Sequence, residues 1–247
     1  MRIAVIGNGR MGRMIDAVCA QEDGLNVAGF IGPGACSRLA ELDDVDCAVD
    51  FSYPGNLQAL LEDAVSGRVP LVIGTTGLSD AQGEAIRTAA SVIPIVWANN
   101  FSTGVTVLAR LVRMAAQALQ GEFDVEITET HHRMKEDAPS GTAKMLLSAV
   151  DPQGEYTVVS GREGRPGRRG REIGVHALRG GTVAGEHSVH FFGQMEELEL
   201  RHRADSREIF ARGALCAARF ATRAKPGLYD MEDVLFGGNE HGCNGNH

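Results

Sequence analysis

The 247-residue chain is 43% apolar and 23% charged, the balance of an ordinary globular protein with room for one large domain or two smaller ones. A formal net charge of -8 argues against a broad nucleic-acid surface and leaves at most a local basic patch. No apolar stretch is long enough to cross a membrane, the start MRIAVIGNGRMG is not a signal peptide, and five scattered cysteines without a CxxC pair read as reduced thiols in a cytoplasmic protein.

The first element, Arg2–Ile6 (RIAVI), is a short β-branched run of the kind found in buried parallel strands. It leads straight into Gly7-Asn8-Gly9-Arg10-Met11-Gly12, and a helical pattern follows with Met11, Ile15 and Val18 at helix spacing. In this strand–loop–helix context the GxGxxG run predicts a dinucleotide site; outside it, the same glycines make an ordinary turn. Gly7 permits the tight turn, Gly9 lets a pyrophosphate approach the backbone, and Gly12 lets the helix pack on the strand. The helix N-terminus offers N–H groups to phosphate.

The next strand, Asn26–Ile31, ends in Gly32-Pro33-Gly34. An NAD site usually carries Asp or Glu at this tip to hold the ribose hydroxyls, and none is present. The nearest charges are Arg38 and Glu41. This points to NADPH, or to use of both cofactors, although Arg38 also reads as a plain surface residue.

The unit then repeats. Residues 46–52 (DCAVDFS) are a strand, followed by the helical stretch LQALLEDAV. Residues 70–73 (PLVI) form a strand ending at Gly74-Thr75-Thr76-Gly77, and 79–90 a helix with Ser79 as N-cap. Residues 93–98 are a further strand, ending at Ala98, Asn99, Asn100 and Phe101. Strands alternating with helices predict a Rossmann-like, doubly wound parallel sheet, with ligands beyond the C-terminal strand ends. The GTTG and ANNF turns fall at that edge beside the glycine loop, which favours cofactor contact over a purely structural role.

Residues 103–119 read as a long amphipathic helix with Val107, Leu108, Leu111, Val112 and Ala115 on its apolar side. Residues 124–130 (DVEITET) alternate as a strand and deliver His131 and His132 just past its end. The turn Pro139-Ser140-Gly141-Thr142 opens a helix whose apolar side is Met145, Leu146, Leu147 and Val150. Ser140, Gly141 and Thr142 at a helix N-terminus make a carboxylate site, and Lys135 adds a full positive charge. A histidine beside them exchanges a proton near neutral pH. Asp137 caps the turn or orients Lys135. By itself HxxxK also reads as a surface patch. A zinc site is a poor alternative, because adjacent histidines rarely reach one metal and no third ligand is spaced nearby.

Residues 161–172 carry Arg162, Arg165, Arg168, Arg169 and Arg171 among glycines without hydrophobic period. They read as a mobile loop, either simply solvated or a basic lid over an anionic ligand; RNA binding lacks the interleaved aromatics it needs. Three strands follow and complete a mixed sheet with 124–130. Helices are expected on one face of that sheet and another subunit on the other, since Val189, Phe191 and Phe192 are costly to leave wet. Residues 207–223 form a helix, PGLYDMEDVLF closes the fold, and GGNEHGCNGNH reads as a disordered tail.

Over nearly its whole length the chain resembles the 4-hydroxy-tetrahydrodipicolinate (dihydrodipicolinate) reductase family. The resemblance runs through the glycine loop, DFSYP, GTTG, ANNFSTGV, ETHHRMKEDAPSGTA, the REG loop, GVHALRGG, GEHSVHFF and PGLYDMEDVLF. The HHRMKEDAPSGT run is specific to that family, whereas the glycine loop is not. The resemblance implies a dinucleotide-binding domain built from 1–102 and 207–247, with an inserted α+β substrate and tetramerisation domain over 103–206. It implies hydride transfer from NADPH or NADH to C4 of a cyclic imine dicarboxylate, with loss of water from the 4-hydroxy substrate, in lysine and diaminopimelate biosynthesis. His131 would be the proton donor or acceptor, and Lys135 would assist proton transfer and hold a carboxylate. His132, Ser140, Gly141 and Thr142 would contact substrate. Gly7 to Gly12, Gly74 to Thr76 and Ala98 to Phe101 would line the cofactor, no metal being required. Hinges near 102–104 and 206 would close the two domains on each other. The missing acid at the second strand tip departs from many family members. Two alternatives remain: another nicotinamide oxidoreductase acting on an amino or imino acid, and a catalytically silent dinucleotide sensor.

Overall fold

The computed structural model describes residues 1–119 and 121–237; the predicted tail beyond Gly237, Cys243 included, lies outside the described residues. Two compact units emerge, Met1–Thr103 together with the chain from Glu208 on, and Gly104–Arg207.

In chain order the elements are β1 (Arg2–Ile6), α1 (Arg10–Cys19), β2 (Asn26–Ile31), β3 (Cys47–Asp50), α2 (Leu57–Gly67), β4 (Leu71–Ile73), α3 (Asp80–Ala90) and β5 (Pro94–Trp97). Then come α4 (Thr103–Ala118), β6 (Asp124–His131), α5 (Gly141–Val150), β7 (Thr157–Val159), β8 (Glu172–Arg179), β9 (Gly185–Phe192) and β10 (Glu197–Ala204). The chain returns to the first unit with α6 (Glu208–Ala221), β11 (Gly227–Tyr229) and α7 (Met231–Phe236).

The first unit is a six-stranded sheet in the order β11-β5-β4-β3-β1-β2, parallel throughout. Its apolar strands are buried on both sides because successive side chains point to opposite faces. Ile3, Val5, Val49, Val72 and Val96 meet α1 and α6 through Ile15, Val18, Ala214 and Leu215. Ala4, Ile6, Ala48, Leu71, Ile73 and Ile95 meet α2 and α3 through Leu57, Leu60, Leu61 and Ile86. The α3 start carries a full capping box, with Ser79 and Gln82 each bonding the other's backbone N–H.

The second unit is a mixed five-stranded sheet, β10-β9-β6-β8-β7. Strand β6 runs parallel to β8 and antiparallel to β9. Leu108, Ala109 and Val112 of α4, with Ala143, Leu146 and Ala149 of α5, bury Val125, Ile127, Ile173, Val175, Val189 and Phe191. The inward face of α4 is turned from the expected one. Val105, Thr106, Leu108, Ala109 and Val112 point in, while Val107 and Leu111 are 40% and 44% exposed.

The opposite face of this sheet is largely polar, with Leu178 and Phe192 exposed on it. Val189 and Phe191 lie on the helix side, and of the three predicted apolar residues only Phe192 is exposed. Ser188–Glu199, His190–Glu197, Arg201–Glu186 and His176–Glu126 pair across neighbouring strands instead. The arginine loop is fastened to this structure: Arg162 bonds Glu126 and Glu172, Arg169 bonds Glu126 and the Val125 carbonyl, and Arg171 bonds Glu155. Burial alone would raise the Glu126 carboxyl, but Arg162, His176 and Arg169 outweigh it and hold it at about 2. Three of the five arginines are thus engaged by protein carboxylates near the Asp124 end of β6, away from His131 at its other end.

Cys19, Cys36 and Cys47 are free thiols, whereas Cys216 is disulfide-bonded, which corrects the expectation that every cysteine is reduced. No helix among the described residues is long and apolar enough to cross a membrane.

Candidate active site

In the first unit the glycine loop has the shape that phosphate recognition requires. Gly7 adopts φ +95°, where a side chain is strained, and a Cβ on it would come within 2.9 Å of the Phe51 carbonyl. A Cβ on Gly12 would come within 2.0 Å of the Gly7 carbonyl oxygen and 3.3 Å of Val5, so the glycine sets how closely α1 packs on β1. A Cβ on Gly9 would meet nothing within 4 Å. Gly9 is the N-cap of α1, and no side chain caps that helix, nor does an acid occupy its first turn. An open glycine at an uncapped helix N-terminus fits a pyrophosphate. Arg10 and Met11 open α1, while Asn8 is spent on the scaffold, its Nδ2 donating to the Pro33 carbonyl at 2.7 Å.

The other predicted cofactor residues lie in the turns beyond β4 and β5. Gly74 allows the Phe51 ring to lie against the backbone, where a Cβ would meet it at 2.4 Å. The Thr75 hydroxyl accepts from Ser52 N–H at 3.0 Å, and Thr76 is exposed. Ala98, Asn99 and Asn100 remain accessible, but Phe101 is fully buried, its ring edge-on to Phe51 at 5.6 Å. The turn after β3 belongs to the same edge, although residue-by-residue reasoning placed no site residue there. Asp50 is buried, with its Oδ1 accepting from Ser52 and its Oδ2 unpartnered among the described residues, and burial pushes its carboxyl up. A cavity of about 460 Å³ lies between Gly32–Leu39 and Tyr53–Asp63. At its rim Arg38 is engaged in a two-point ion pair with Asp63, and Glu41 bonds Ser37.

In the second unit the site is built on the buried face of β6. The period-two alternation that buries Val125 and Ile127 also turns Glu129 and His131 inward. Glu129 is 0% exposed. Its Oε2 lies 2.5 Å from His131 Nδ1 and accepts from Arg179 Nη1 at 2.9 Å. Its Oε1 accepts from Arg179 Nη2 at 2.8 Å and from Ser140 N–H at 3.1 Å. Burial opposes the ionised form, but Arg179 and His131 prevail and lower the carboxyl below its ordinary value. Burial lowers His131; Glu129 partly offsets this, and the charges of Lys135 and Arg179 add to it.

Ser140 is the N-cap of α5, with its Oγ accepting from Ala143 N–H. The same oxygen lies 3.1 Å from His187 Nε2. Burial, then the charge of His131, pushes His187 down to about 4, so the ring is neutral, and its tautomer sets which of the two groups donates in this contact. The serine is 2% exposed and its polar atoms are all used within the protein. Gly141 is exposed and Thr142 half-buried at the start of the helix. Lys135 pairs with Asp137 at 2.8 Å, the orienting contact anticipated for that acid. His132 does not join His131; its Nε2 accepts from Arg207 at 3.0 Å.

Glu129, His131 and His187 bring potential metal-ligand atoms within 4.8 Å of one another. Both carboxylate oxygens are already committed to Arg179, Ser140 and His131, and a guanidinium beside them is a poor neighbour for a cation. The set therefore reads as a hydrogen-bonded network. Glu129, Arg179 and His187 did not emerge from the sequence as site residues. Strand alternation gave a signal for Glu129. Arg179 and His187 come from later strands, placed by register: His131 faces Arg179 and Glu129 faces His187.

A Rossmann-like parallel sheet with an open glycine loop, accompanied by a mixed-sheet unit carrying a buried acid–histidine pair, fits a dinucleotide-dependent oxidoreductase. Comparisons with known proteins narrow this further. The family model "Dihydrodipicolinate reductase, N-terminus" matches residues 1–101, and "Dihydrodipicolinate reductase, C-terminus" matches 104–235. A 4-hydroxy-tetrahydrodipicolinate reductase of Akkermansia muciniphila is 46% identical over 92% of this chain and 94% of its own. One from Caldanaerobacter subterraneus is 39% identical over 95% and 98%. The dipicolinate-bound dihydrodipicolinate reductase from Paenisporosarcina sp. TG-14 shares the fold with a TM-score of 0.77 at 22% identity, covering 95% of this chain and 99% of its own. The chain belongs to the dihydrodipicolinate reductase family.

Proposed function

We propose that this reductase converts 4-hydroxy-tetrahydrodipicolinate to tetrahydrodipicolinate with loss of water, in lysine and diaminopimelate biosynthesis. In this proposal 1–102 and 207–247 bind the dinucleotide, and 103–206 binds substrate and forms a homotetramer in the cytoplasm. Gly7 to Gly12, Gly74 to Thr76 and Ala98 to Phe101 hold NADPH or NADH, with NADPH bound at least as well, because no carboxylate stands at the tip of β2. When bound, the reduced nicotinamide supplies a hydride.

The chain's own residues do the rest. The N-terminus of α5 at Gly141 and Thr142 takes one carboxylate of the substrate, and Lys135, steadied by Asp137, neutralises charge beside it. His132 completes the substrate contacts. His131 gives a proton to the negative charge that hydride addition creates, then regains one from solvent. The observation that carries this reading is the gathering of His131 and the Ser140-capped helix on one buried carboxylate, Glu129, with the charge of Lys135 acting on His131. The test generates the substrate in place from pyruvate and aspartate semialdehyde with a synthase and follows the absorbance of NADPH and NADH in parallel. Synthase-dependent oxidation is expected with both cofactors; a folded protein that binds NADPH and oxidises neither cofactor refutes the assignment.

A further inference from the structure

We infer that Glu129, clamped by Arg179, is the positioning residue that gives His131 its working tautomer and raises its affinity for the proton it donates. The inference rests on the proposed role of His131. Glu129 accepts two N–H groups from Arg179 and one from the Ser140 backbone, three donors in all beside His131. A carboxylate with three donors and a guanidinium partner is ionised and can only accept. The 2.5 Å contact therefore fixes His131 Nδ1 as the donor. The exchangeable proton sits on the other nitrogen, Nε2.

The surroundings of Nε2 agree with this division. Gly185 stands opposite it, where a Cβ would come within 3.1 Å of Nε2. A glycine at that register position keeps the nitrogen approachable. The groups that face His131 are Glu129 on β6, Lys135 beyond it, Arg179 on β8 and His187 on β9, whose ring stands edge-on at 5.1 Å. His202 on β10 bears on His187, and from α5 the Ser140 hydroxyl reaches His187. Among these, Glu129 alone is negative. Without it the imidazolium faces two cations in a buried place, and its proton is lost at lower pH. In the chemical step the Nε2–H bond breaks, the proton goes to the carbanionic centre left by hydride addition, and the imidazole is left neutral with Nδ1–H still bonded to Glu129. Glu129 thus acts through His131 and never on the substrate.

Two measurements on the full-length protein test this. In Glu129→Gln, kcat should fall roughly 10- to 100-fold with KM little changed, as for loss of an orienting carboxylate behind a histidine. The alkaline limb of its kcat profile should move to lower pH by roughly one unit, and Glu129→Asp should restore part of that shift. A variant that folds, loses activity and keeps the wild-type limb would show a merely structural role and overturn the inference. Nitrogen-15 spectra of histidine-labelled wild-type protein supply the second test without needing a soluble variant. Neutral His131 is expected as the Nδ1–H tautomer, with Nε2 showing the shift of an unprotonated nitrogen. An Nε2–H tautomer would overturn the inference. If the wild type showed no reductase activity, the proposed reaction would fail, and the tautomer measurement would still decide the Glu129–His131 pair.

Discussion

The two sheets treat polar groups in opposite ways. In the parallel sheet the buried strand residues are apolar except for Asp50, which sits at the last position of β3 beside the loops. In the mixed sheet Glu129, His131, His187 and Ser188 are all buried within strands. In the proposed function the first sheet is a scaffold whose ligand contacts lie in the turns at its C-terminal edge. The second would carry the chemistry in its strands, where each buried polar group needs a partner from a neighbouring strand or helix to repay its desolvation. Substitutions in the first unit should therefore act on dinucleotide binding, whereas those in the second should act on the chemical step and on stability together.

The sharpest way to break that contrast is at His131 and Lys135. His131→Gln should lower kcat by about 10²- to 10⁴-fold while the dinucleotide Kd stays unchanged by titration. Lys135→Ala should likewise reduce kcat/KM far more than cofactor affinity, because its proposed partner is the substrate. Wild-type turnover in either variant ends its assigned role.

Acid should separate the two sheets next. His187, held down to about 4, stays unprotonated in the folded chain where an unfolded histidine, near 6.5, binds a proton. The unfolded state then holds more protons between those values, so stability falls as pH drops from about 6.5 toward 4. His131, also lowered, acts in the same direction. The His187 shift corresponds to about 3 kcal/mol. Chemical denaturation from pH 7 to 4 should show this loss, and His187→Gln should flatten it; an unchanged slope would place the linkage elsewhere.

Within the first unit the glycines give a smaller, internally controlled effect. Gly12→Ala drives a methyl into the Gly7 carbonyl and should cost about 1–3 kcal/mol of stability along with dinucleotide affinity. Gly9→Ala meets no protein atom, so its stability should stay within about 0.5 kcal/mol while cofactor affinity alone weakens. Equal loss of stability in both would show that the loop answers to packing only.

The smallest effect is expected at Arg38. Its pairing with Asp63 leaves it less available to a 2′-phosphate than a solvated arginine would be. Arg38→Ala should lower the NADPH-to-NADH preference only a few-fold, about 1 kcal/mol or less. A strong NADH preference in the wild type would refute the expectation drawn from the bare tip of β2.

Much was legible in the sequence because it is local. Strand, glycine loop and helix follow one another within twenty residues, so Gly7, Gly9 and Gly12 declare their geometry without the rest of the chain. Likewise Ser79 and Ser140 announce helix starts, because a cap bonds N–H groups two or three residues away. The HHRMKEDAPSGT run named its family from adjacent residues. What distance in the chain concealed was decided by register. Arg179 and His187 lie 50 and 58 residues beyond Glu129, and only the pairing of β6 with β8 and β9 brings them to it. The side of β9 that carries Val189 and Phe191, and the turn of α4 about its axis, were misread for the same reason. Periodicity tells which residues share a face, but which face is covered, and by what, depends on the elements packed against it.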